Sequence, residues 1–364
     1  MGQAPRIAFI GGFLGSGKTT LVWEAARRLM AYGKRVGIIT NDQAPDLVDT
    51  ALLKRHGLNV EEVAGSCFCC NFFGLLDATK ALKDAAMADV LLAEPVGSCT
   101  DLAATLLQPL RELFSSEFRH SPLAVLADPW RLATVMGGGG GDLNRYTAYV
   151  YRMQLEESDI IAVNKIDLLE EHAIADLRSN VKAEFPHARI RFLSARFGIG
   201  VDELLAEILE SDAGEPRIID VDYDTYTKGE LALGWFNGEF GIEISNTDPD
   251  WAKLCDDLLS GIQAGLVNAN RSIGHLKLLL SSETGYIVGN VTSPSQPPDL
   301  RIEMPVHSQS ALMILNARAE LPPEQLESTI YTALNSLDDG ATSIEVKKTF
   351  CIRPGAPAPT YGRG

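Results

Sequence analysis

Ten residues near the amino terminus limit what this chain can fold into: Gly11-Gly12-Phe13-Leu14-Gly15-Ser16-Gly17-Lys18-Thr19-Thr20. An apolar run, Ile7-Ala8-Phe9-Ile10, precedes them, and a helical pattern from Leu21 to Tyr32 follows. Gly12 to Thr19 fit G-x-x-x-x-G-K-[ST] in the strand–loop–helix context that a phosphate loop requires. Glycines let the backbone curl so that successive N–H groups face phosphate oxygens. The helix that follows adds the positive end of its dipole. In such a loop Gly12, Gly15, Ser16, Gly17 and Thr20 surround the phosphates. Lys18 reaches the β- and γ-phosphates, and the Thr19 hydroxyl ligates Mg²⁺. The competing reading is a chance glycine-rich turn before a helix.

The pattern downstream repeats this rhythm. Apolar strands are expected at Arg35–Asn41, Leu58–Val63, Asp89–Pro95, Leu123–Asp128, Asp159–Asn164 and Arg189–Ser194, separated by helices or loops. Helices are expected at Leu47–Arg55, Leu75–Met87 and Val201–Leu209. Short, continuous apolar strands alternating with helices predict an α/β fold with a doubly wound, mostly parallel sheet. Such sheets bind ligands at the carboxyl ends of their strands. From residue 216 the rhythm changes. Strands are expected at Leu231–Ser245, Gly274–Leu280, Tyr286–Thr292, Ala311–Ala319 and Ser343–Phe350, with helices at Asp250–Ile262 and Pro323–Leu337. The expectation is a nucleotide domain over 1–215 and a smaller α+β domain over 216–364, with a ferredoxin-like arrangement. The glycine run within Met136–Gly141 reads as a mobile loop, Ser293–Pro298 as a surface loop, and the tail Pro354–Gly364 as frayed.

A net charge of −16 with no basic arm or patch argues against nucleic acid or an anionic membrane as partner. No stretch approaches the 18 uninterrupted apolar residues of a membrane span. With no signal-peptide pattern at Met1–Arg6, a cytoplasmic protein is expected.

Five further motifs fall at expected strand ends. Asn164-Lys165-Ile166-Asp167 matches the N-K-x-D pattern of GTPases. Asp167 offers a carboxylate that accepts two donors from guanine N1 and N2, a pair adenine lacks. Asn164 would brace the loop and contact the base, and the Lys165 stem would lie along the purine. Ser194-Ala195 resembles the short motif whose backbone N–H meets guanine O6. Glu94-Pro95-Val96-Gly97 supplies an acidic residue for the Mg²⁺ shell or the attacking water, and a Gly97 N–H for the γ-phosphate. Its bland alternative is a strand-end acid that caps the next helix. Asn41-Asp42 ends the second strand, where Asp42 is a catalytic candidate; the alternative is a turn using Asn and Asp for backbone bonding.

The fifth motif is Gly65-Ser66-Cys67-Phe68-Cys69-Cys70. Thiolates suit Zn²⁺ and other borderline transition metals. In a regular strand neighbours point to opposite faces, whereas in a turn two or three sulfurs can reach one ion. A closed structural zinc site wants four ligands, and no second pair is visible, so the site reads as an incomplete one suited to a metal that must leave. Buried, inert cysteines beside Phe72 and Phe73 are the alternative. Cys99, Cys255 and Cys351 stand isolated and read as core packing.

G-x-x-x-S-G-K-T-T, C-x-C-C, E-x-x-G and N-K-x-D in this order resemble the CobW-type GTPases, relatives of the urease and hydrogenase nickel-insertion GTPases. The resemblance spans roughly residues 6–210. It implies a SIMIBI-like, cytoplasmic P-loop GTPase that couples GTP and Mg²⁺ to delivery of a metal, Zn²⁺ or Co²⁺, to a metal- or cofactor-dependent client enzyme; low intrinsic turnover is expected because no arginine finger is evident in the nucleotide motifs. By position, Gly12–Thr19 bind phosphates and Mg²⁺, Glu94 lies in the second switch, Asn164 and Asp167 read guanine, and Cys67, Cys69 and Cys70 bind metal, with an acidic partner near Asp42. The chain departs from the family where Ser66 stands in place of Gly and Asn41-Asp42-Gln43-Ala44-Pro45 in place of N-E-F-G-E. Asp101-Leu102-Ala103-Ala104-Thr105 is similar to the urease-accessory branch instead. The alternative function is a GTP-dependent assembly factor that loads a corrinoid or other cofactor and carries no metal; a small-molecule kinase would have no use for N-K-I-D. The sequence leaves open whether two copies form a homodimer.

Overall fold

The computed structural model describes residues 4–42, 47–138, 143–246 and 248–362. Most of the glycine run and the loop after Asp42 therefore lie outside the described residues. Residues 4–42, 53–138, 143–229 and 357–362 form one compact unit; residues 47–52, 230–246 and 248–356 form another. No described helix is long and apolar enough to cross a membrane.

The first unit contains β1 (Arg6–Gly12), α1 (Lys18–Ala31), β2 (Val36–Asp42), the end of α2 (Val48–Arg55), β3 (Asn59–Ala64), α3 (Phe72–Ala85) and β4 (Val90–Glu94). It continues with α4 (Gln108–Phe114), β5 (Arg119–His120), β6 (Ala124–Ala127), α5 (Pro129–Met136) and α6 (Arg145–Glu156). It closes with β7 (Ile160–Val163), α7 (Glu171–Glu184), β8 (Arg189–Phe192), α8 (Val201–Glu210) and most of α9 (Tyr223–Leu231). The strands pair in the order β3-β2-β4-β1-β6-β7-β8, with β5 also against β1, and every pairing is parallel. The doubly wound sheet is therefore as expected. β1, β2 and β4 are buried along their whole length, the mark of strands covered by helices on both faces. One core joins Ala8 and Ile10 of β1 to Leu21, Val22, Ala25 and Leu29 of α1 and to Leu92, Leu126 and Ala162 of neighbouring strands. Because the strands run parallel, their carboxyl ends lie along one edge, and each motif follows one of those ends.

The second unit holds β9 (Gly234–Ile244), α10 (Trp251–Asn268), β10 (Ile273–Ser281), β11 (Tyr286–Val291), β12 (Asp299–Met304), β13 (Ser310–Ala319), α11 (Pro323–Leu337) and β14 (Thr342–Ile352). Its antiparallel order is β12-β11-β10-β13-β9-β14. With the β11–β12 extension set aside, two β-α-β halves interleave as β14-β9-β13-β10, a ferredoxin-like split. The edge strand β12 and the helix α9 are additions to the expected elements. β12 is half-exposed to exposed throughout and lacks an apolar face to signal it.

Alternation along β10 divides the faces of this sheet. Leu276, Leu278 and Leu280 join the core beneath α10 and α11. Leu279 faces the other way and packs with Val48, Tyr286 and Val288. The segment after the nucleotide strand β2 is thus part of this second unit. Its Val48 N–H donates to Asn316 Oδ1 at 2.7 Å, and Asp49 pairs with Lys277 Nζ at 2.5 Å.

Candidate functional site

The phosphate loop turns on three left-handed glycines, Gly12 at φ 135°, Gly15 at 76° and Gly17 at 95°. A Cβ at Gly12 would lie 2.5 Å from the Leu126 carbonyl oxygen, and one at Gly17 would lie 2.4 Å from Asn164 Nδ2, so both positions demand glycine. Helix α1 begins at Lys18 with its N-terminus toward the loop. Lys18 Nζ folds back to donate to the Gly12 and Phe13 carbonyls, at 2.9 and 3.4 Å. Ser16 Oγ is buried without a hydrogen-bond partner among the described residues. A curled backbone, a lysine held over it and a buried hydroxyl fit phosphate oxygens as acceptors. Thr20, half-buried, follows on α1.

Two side chains brace this loop from the rest of the unit. Asn164 Nδ2 donates to the Ser16 carbonyl at 2.8 Å, while Asn164 Oδ1 accepts the Ala195 N–H at 2.9 Å. One amide therefore ties the phosphate loop to both base-side segments. The Ala195 N–H, expected at guanine O6, is donated to Asn164 here. Asp167 Oδ1 accepts from Ser194 Oγ at 2.5 Å. Lys165 adopts a left-handed φ of 61°, and its Nζ pairs with Asp128 at 2.9 Å. The second brace is buried Arg131, on α5, which donates to the Leu14 carbonyl at 2.7 Å. Nothing in the local sequence marks Arg131; only the packing of α5 beside the loop brings it there.

Glu94 ends β4 next to β1, and Thr19 Oγ1 donates to Glu94 Oε1 at 3.0 Å. A hydroxyl and a carboxylate at this spacing are the hard oxygen donors that suit Mg²⁺. A Cβ at Gly97 would meet Leu14 at 2.8 Å and Lys18 Nζ at 2.9 Å, so the loop after Glu94 lies directly against the phosphate loop. Gln154 of α6 holds that loop, donating to the Gly97 and Cys99 carbonyls at 3.0 and 2.7 Å. Asp42 is buried at the end of β2.

The cysteine loop leaves the end of β3, beside β2. Asn41 reaches across: its Nδ2 donates to the Val63 and Ser66 carbonyls, both at 2.7 Å, and its Oδ1 accepts the Phe68 N–H at 2.8 Å. The position of Asn41 at the strand end is legible in the sequence; this clamp on a neighbouring strand's loop is not. The Cys67, Cys69 and Cys70 sulfurs lie within 4.8 Å of one another, the one such group of potential metal ligands among the described residues; Asp42 does not join it. Cys67 Sγ is 2.9 Å from Cys69 Sγ, and Cys69 Sγ is 3.9 Å from Cys70 Sγ. Four sulfurs around a zinc ion at ~2.3 Å stand roughly 3.8 Å apart, so small side-chain shifts would accommodate one. Donation from the Cys69, Cys70 and Cys99 thiols holds Cys67 well below the ordinary thiol pKa. Cys69, which keeps its proton toward Cys67, is pushed up.

Two expectations are corrected around this loop. Cys99 is not isolated: its thiol interacts with both Cys67 and Cys69. Its place on the loop after β4, one strand beyond β2, depends on strand order that spacing along the chain does not reveal. The described part of the tail, up to residue 362, is not frayed. Thr360 N–H donates to the Cys69 carbonyl at 2.8 Å, Thr360 Oγ1 to the Cys70 carbonyl at 3.1 Å, and the Ala358 N–H to Cys70 Sγ at 3.3 Å. Tyr361 packs edge-on against Phe72, with ring centroids 4.8 Å apart. Its prolines restrict the free chain and so lower the cost of lying extended over a loop, and these partners hold it there.

Residues 6–191 match the family model described as CobW/HypB/UreG, nucleotide-binding domain. The chain is 24% identical over 223 residues to the zinc chaperone CobW of Pseudomonas aeruginosa, covering 53% of this chain and 56% of that one. It is 30% identical over 172 residues to the zinc chaperone YeiR of Escherichia coli, covering 44% and 47%. The chain thus spans about half the length of these curated relatives. The crystal structure of Zn(II)-bound YjiA GTPase from E. coli aligns over 92% of this chain and 99% of its own, at 13% identity and a TM-score of 0.38.

Proposed function

The chain belongs to the CobW/HypB/UreG family, and from that premise we propose that it is a GTP-hydrolysing metallochaperone delivering Zn²⁺ or Co²⁺ to a client enzyme. The family's nucleotide-binding domain is in place, and a metal-delivery role follows the zinc chaperones it resembles. In this reading GTP lies along the carboxyl edge of the parallel sheet. Asp167 accepts from the guanine edge, Asn164 fixes the base-side loops, and Lys18 turns from the loop carbonyls to the β- and γ-phosphates. Mg²⁺ would be held by Thr19, with Glu94 in its shell or orienting the attacking water, and would neutralise developing phosphate charge. Gly97 N–H would meet the terminal phosphate. Cys67, Cys69 and Cys70 hold the cargo ion. The second unit carries the client-facing or regulatory surface.

One observation carries the coupling. Asn41, at the end of the strand beside β4, holds the cysteine loop by three hydrogen bonds. A change in the strand ends on binding GTP is therefore passed to the sulfurs by one rigid side chain. Intrinsic turnover is low in this reading, because Arg131 is committed to a loop carbonyl. The test is titration of zinc or cobalt into protein holding a non-hydrolysable GTP analogue, GDP or no nucleotide. Affinities should differ at least tenfold between the analogue and GDP; equal affinities in all three states refute the coupling.

A further inference from the structure

We propose that Gln154 of α6 is a positioning residue for GTP hydrolysis: its two amide N–H groups hold the Gly97 backbone where the terminal phosphate is met. This rests on the nucleotide reading above and adds to it a residue from outside the nucleotide motifs.

The observations are geometric. Gln154 is 2% exposed, and its Nε2 donates to the Gly97 carbonyl at 3.0 Å and to the Cys99 carbonyl at 2.7 Å. A glutamine amide carries two donor hydrogens, so both are spent on this one loop. Burying an amide is costly unless it is bonded, and the printed geometry bonds this one to the loop after β4. Glu157 lies three residues on, on the same side of the helix. It accepts from Thr100 Oγ1 and from the Asp101 and Ala103 N–H groups. Two bonds from Gln154 and three to Glu157 thus hold the segment from Gly97 to Ala103 against the end of α6. The preceding turn of α6 reaches the phosphate loop. Buried Tyr151 packs its ring against Phe13, with centroids 5.4 Å apart. Tyr151 and Gln154 are three residues apart, so one face of one helix touches both loops.

The location gives this grip a purpose. A Cβ at Gly97 would lie 2.8 Å from Leu14 Cδ2 and 2.9 Å from Lys18 Nζ. The Gly97 backbone therefore stands beside the cation that meets the β- and γ-phosphates in the proposed function. Glycine has the widest conformational range of any residue, and an unheld Gly97 would have to be ordered each time GTP binds. Helix α6 meets that cost beforehand by fixing the carbonyl side of Gly97, so the N–H of the same residue keeps one direction. A donor held in place before charge develops on the terminal phosphate stabilises the transition state without reorganisation. GDP lacks that phosphate, so the effect is confined to the triphosphate. Gln154 acts through Gly97.

The test uses the full chain with Mg²⁺. Wild type, Gln154→Leu and Gln154→Glu are compared in single-turnover GTP hydrolysis and in affinity for GDP and for a non-hydrolysable GTP analogue. Leucine fills the space without a donor. A carboxyl group has nearly the shape of the amide but at most one proton to donate, so it cannot serve both carbonyls. Both variants should hydrolyse bound GTP about tenfold more slowly and bind the analogue about fivefold more weakly, while GDP affinity stays within about twofold. A merely structural glutamine would weaken GDP and analogue together. Amide hydrogen exchange on wild type needs no variant to fold: residues 97–103 should be protected already in the GDP state, as a loop gripped before the terminal phosphate arrives. Three results overturn the assignment of Gln154 and leave the GTPase reading standing: hydrolysis and analogue affinity equal to wild type in the variants, an equal loss for GDP and analogue, or rapid exchange of 97–103 in GDP-bound wild type. Wild type that neither binds the analogue nor hydrolyses GTP overturns both readings.

Discussion

Asn41 Nδ2 donates to the Ser66 carbonyl at 2.7 Å, linking the end of one sheet strand to the residue before the first cysteine of the proposed metal site. The same side chain satisfies the Val63 carbonyl and the Phe68 N–H. Asn41→Ala would leave these three backbone groups without that partner, in surroundings that are largely buried. At ~1 kcal/mol per lost hydrogen bond, the expected destabilisation is roughly 2–3 kcal/mol. Thermal denaturation reads this cost. Cobalt titration should show a loss of at least tenfold in affinity, while GTP affinity changes by less than about threefold. Metal affinity equal to wild type would show that the clamp does not shape the thiol site.

In the proposed function base recognition rests on Asp167, whose Oδ1 already accepts a hydrogen bond from Ser194. A carboxylate accepts from guanine N1 and N2; an amide in its place presents a donor, which suits a purine with a carbonyl at C2. Asp167→Asn should weaken GTP binding by at least 30-fold and strengthen binding of xanthosine triphosphate. The check is competition between the two nucleotides for a fluorescent analogue. Wild-type GTP affinity in the variant would move the base site elsewhere.

Much of this site was legible in the sequence because a parallel sheet forces it to be. Once Gly12–Thr19 is recognised as strand, loop and helix, each later motif at a strand end must reach the same edge. The cysteine loop followed from residue type alone. What the sequence did not show are contacts set by strand order and by packing between distant segments. Cys99 and Cys67 meet across β2, which neither segment's spacing announces. Gln154 and Arg131 look like ordinary helix residues until α6 and α5 are laid beside the phosphate loop. The tail read as frayed because its composition lacks a periodic apolar pattern, yet Tyr361 finds Phe72 and two backbone N–H groups find the cysteine loop.

That tail makes its own prediction. Ala358 N–H to Cys70 Sγ and Thr360 to the Cys69 and Cys70 carbonyls cover a half-buried thiol. A chain ending at Ala356 should expose Cys70 to alkylation, with a rate increase of at least fivefold over the full chain. Cys255, buried on α10, should be unaffected. Site-resolved mass spectrometry after timed alkylation measures both. An unchanged Cys70 rate would mean that the tail does not shield it in solution.

Glu157 gives the pH dependence. It is buried just after α6 and accepts from Thr100 Oγ1 at 2.8 Å, the Asp101 N–H at 3.0 Å and the Ala103 N–H at 2.9 Å. Those bonds fix the backbone beyond Cys99, where Asp101 takes a left-handed φ of 67° and a π-type turn runs over Ala103–Leu107. Burial outweighs the three donors and pushes the Glu157 carboxyl up from 4.5 to about 7. The sign follows from proton uptake. Between these two values the folded chain keeps the proton while the unfolded chain loses it, so stability falls as pH rises through the window. Its contribution is fully present below pH 4.5 and lost by about pH 7. The total is on the order of 3 kcal/mol. Glu157→Gln keeps an acceptor for Thr100 and Asp101 but turns an amide N–H₂ toward the Ala103 N–H. The variant should therefore be less stable than wild type at pH 5, with the gap shrinking or reversing at pH 8. Denaturant melts at the two pH values measure it. A gap that is the same at both would mean that Glu157 stays ionised in the fold, held by its three donors.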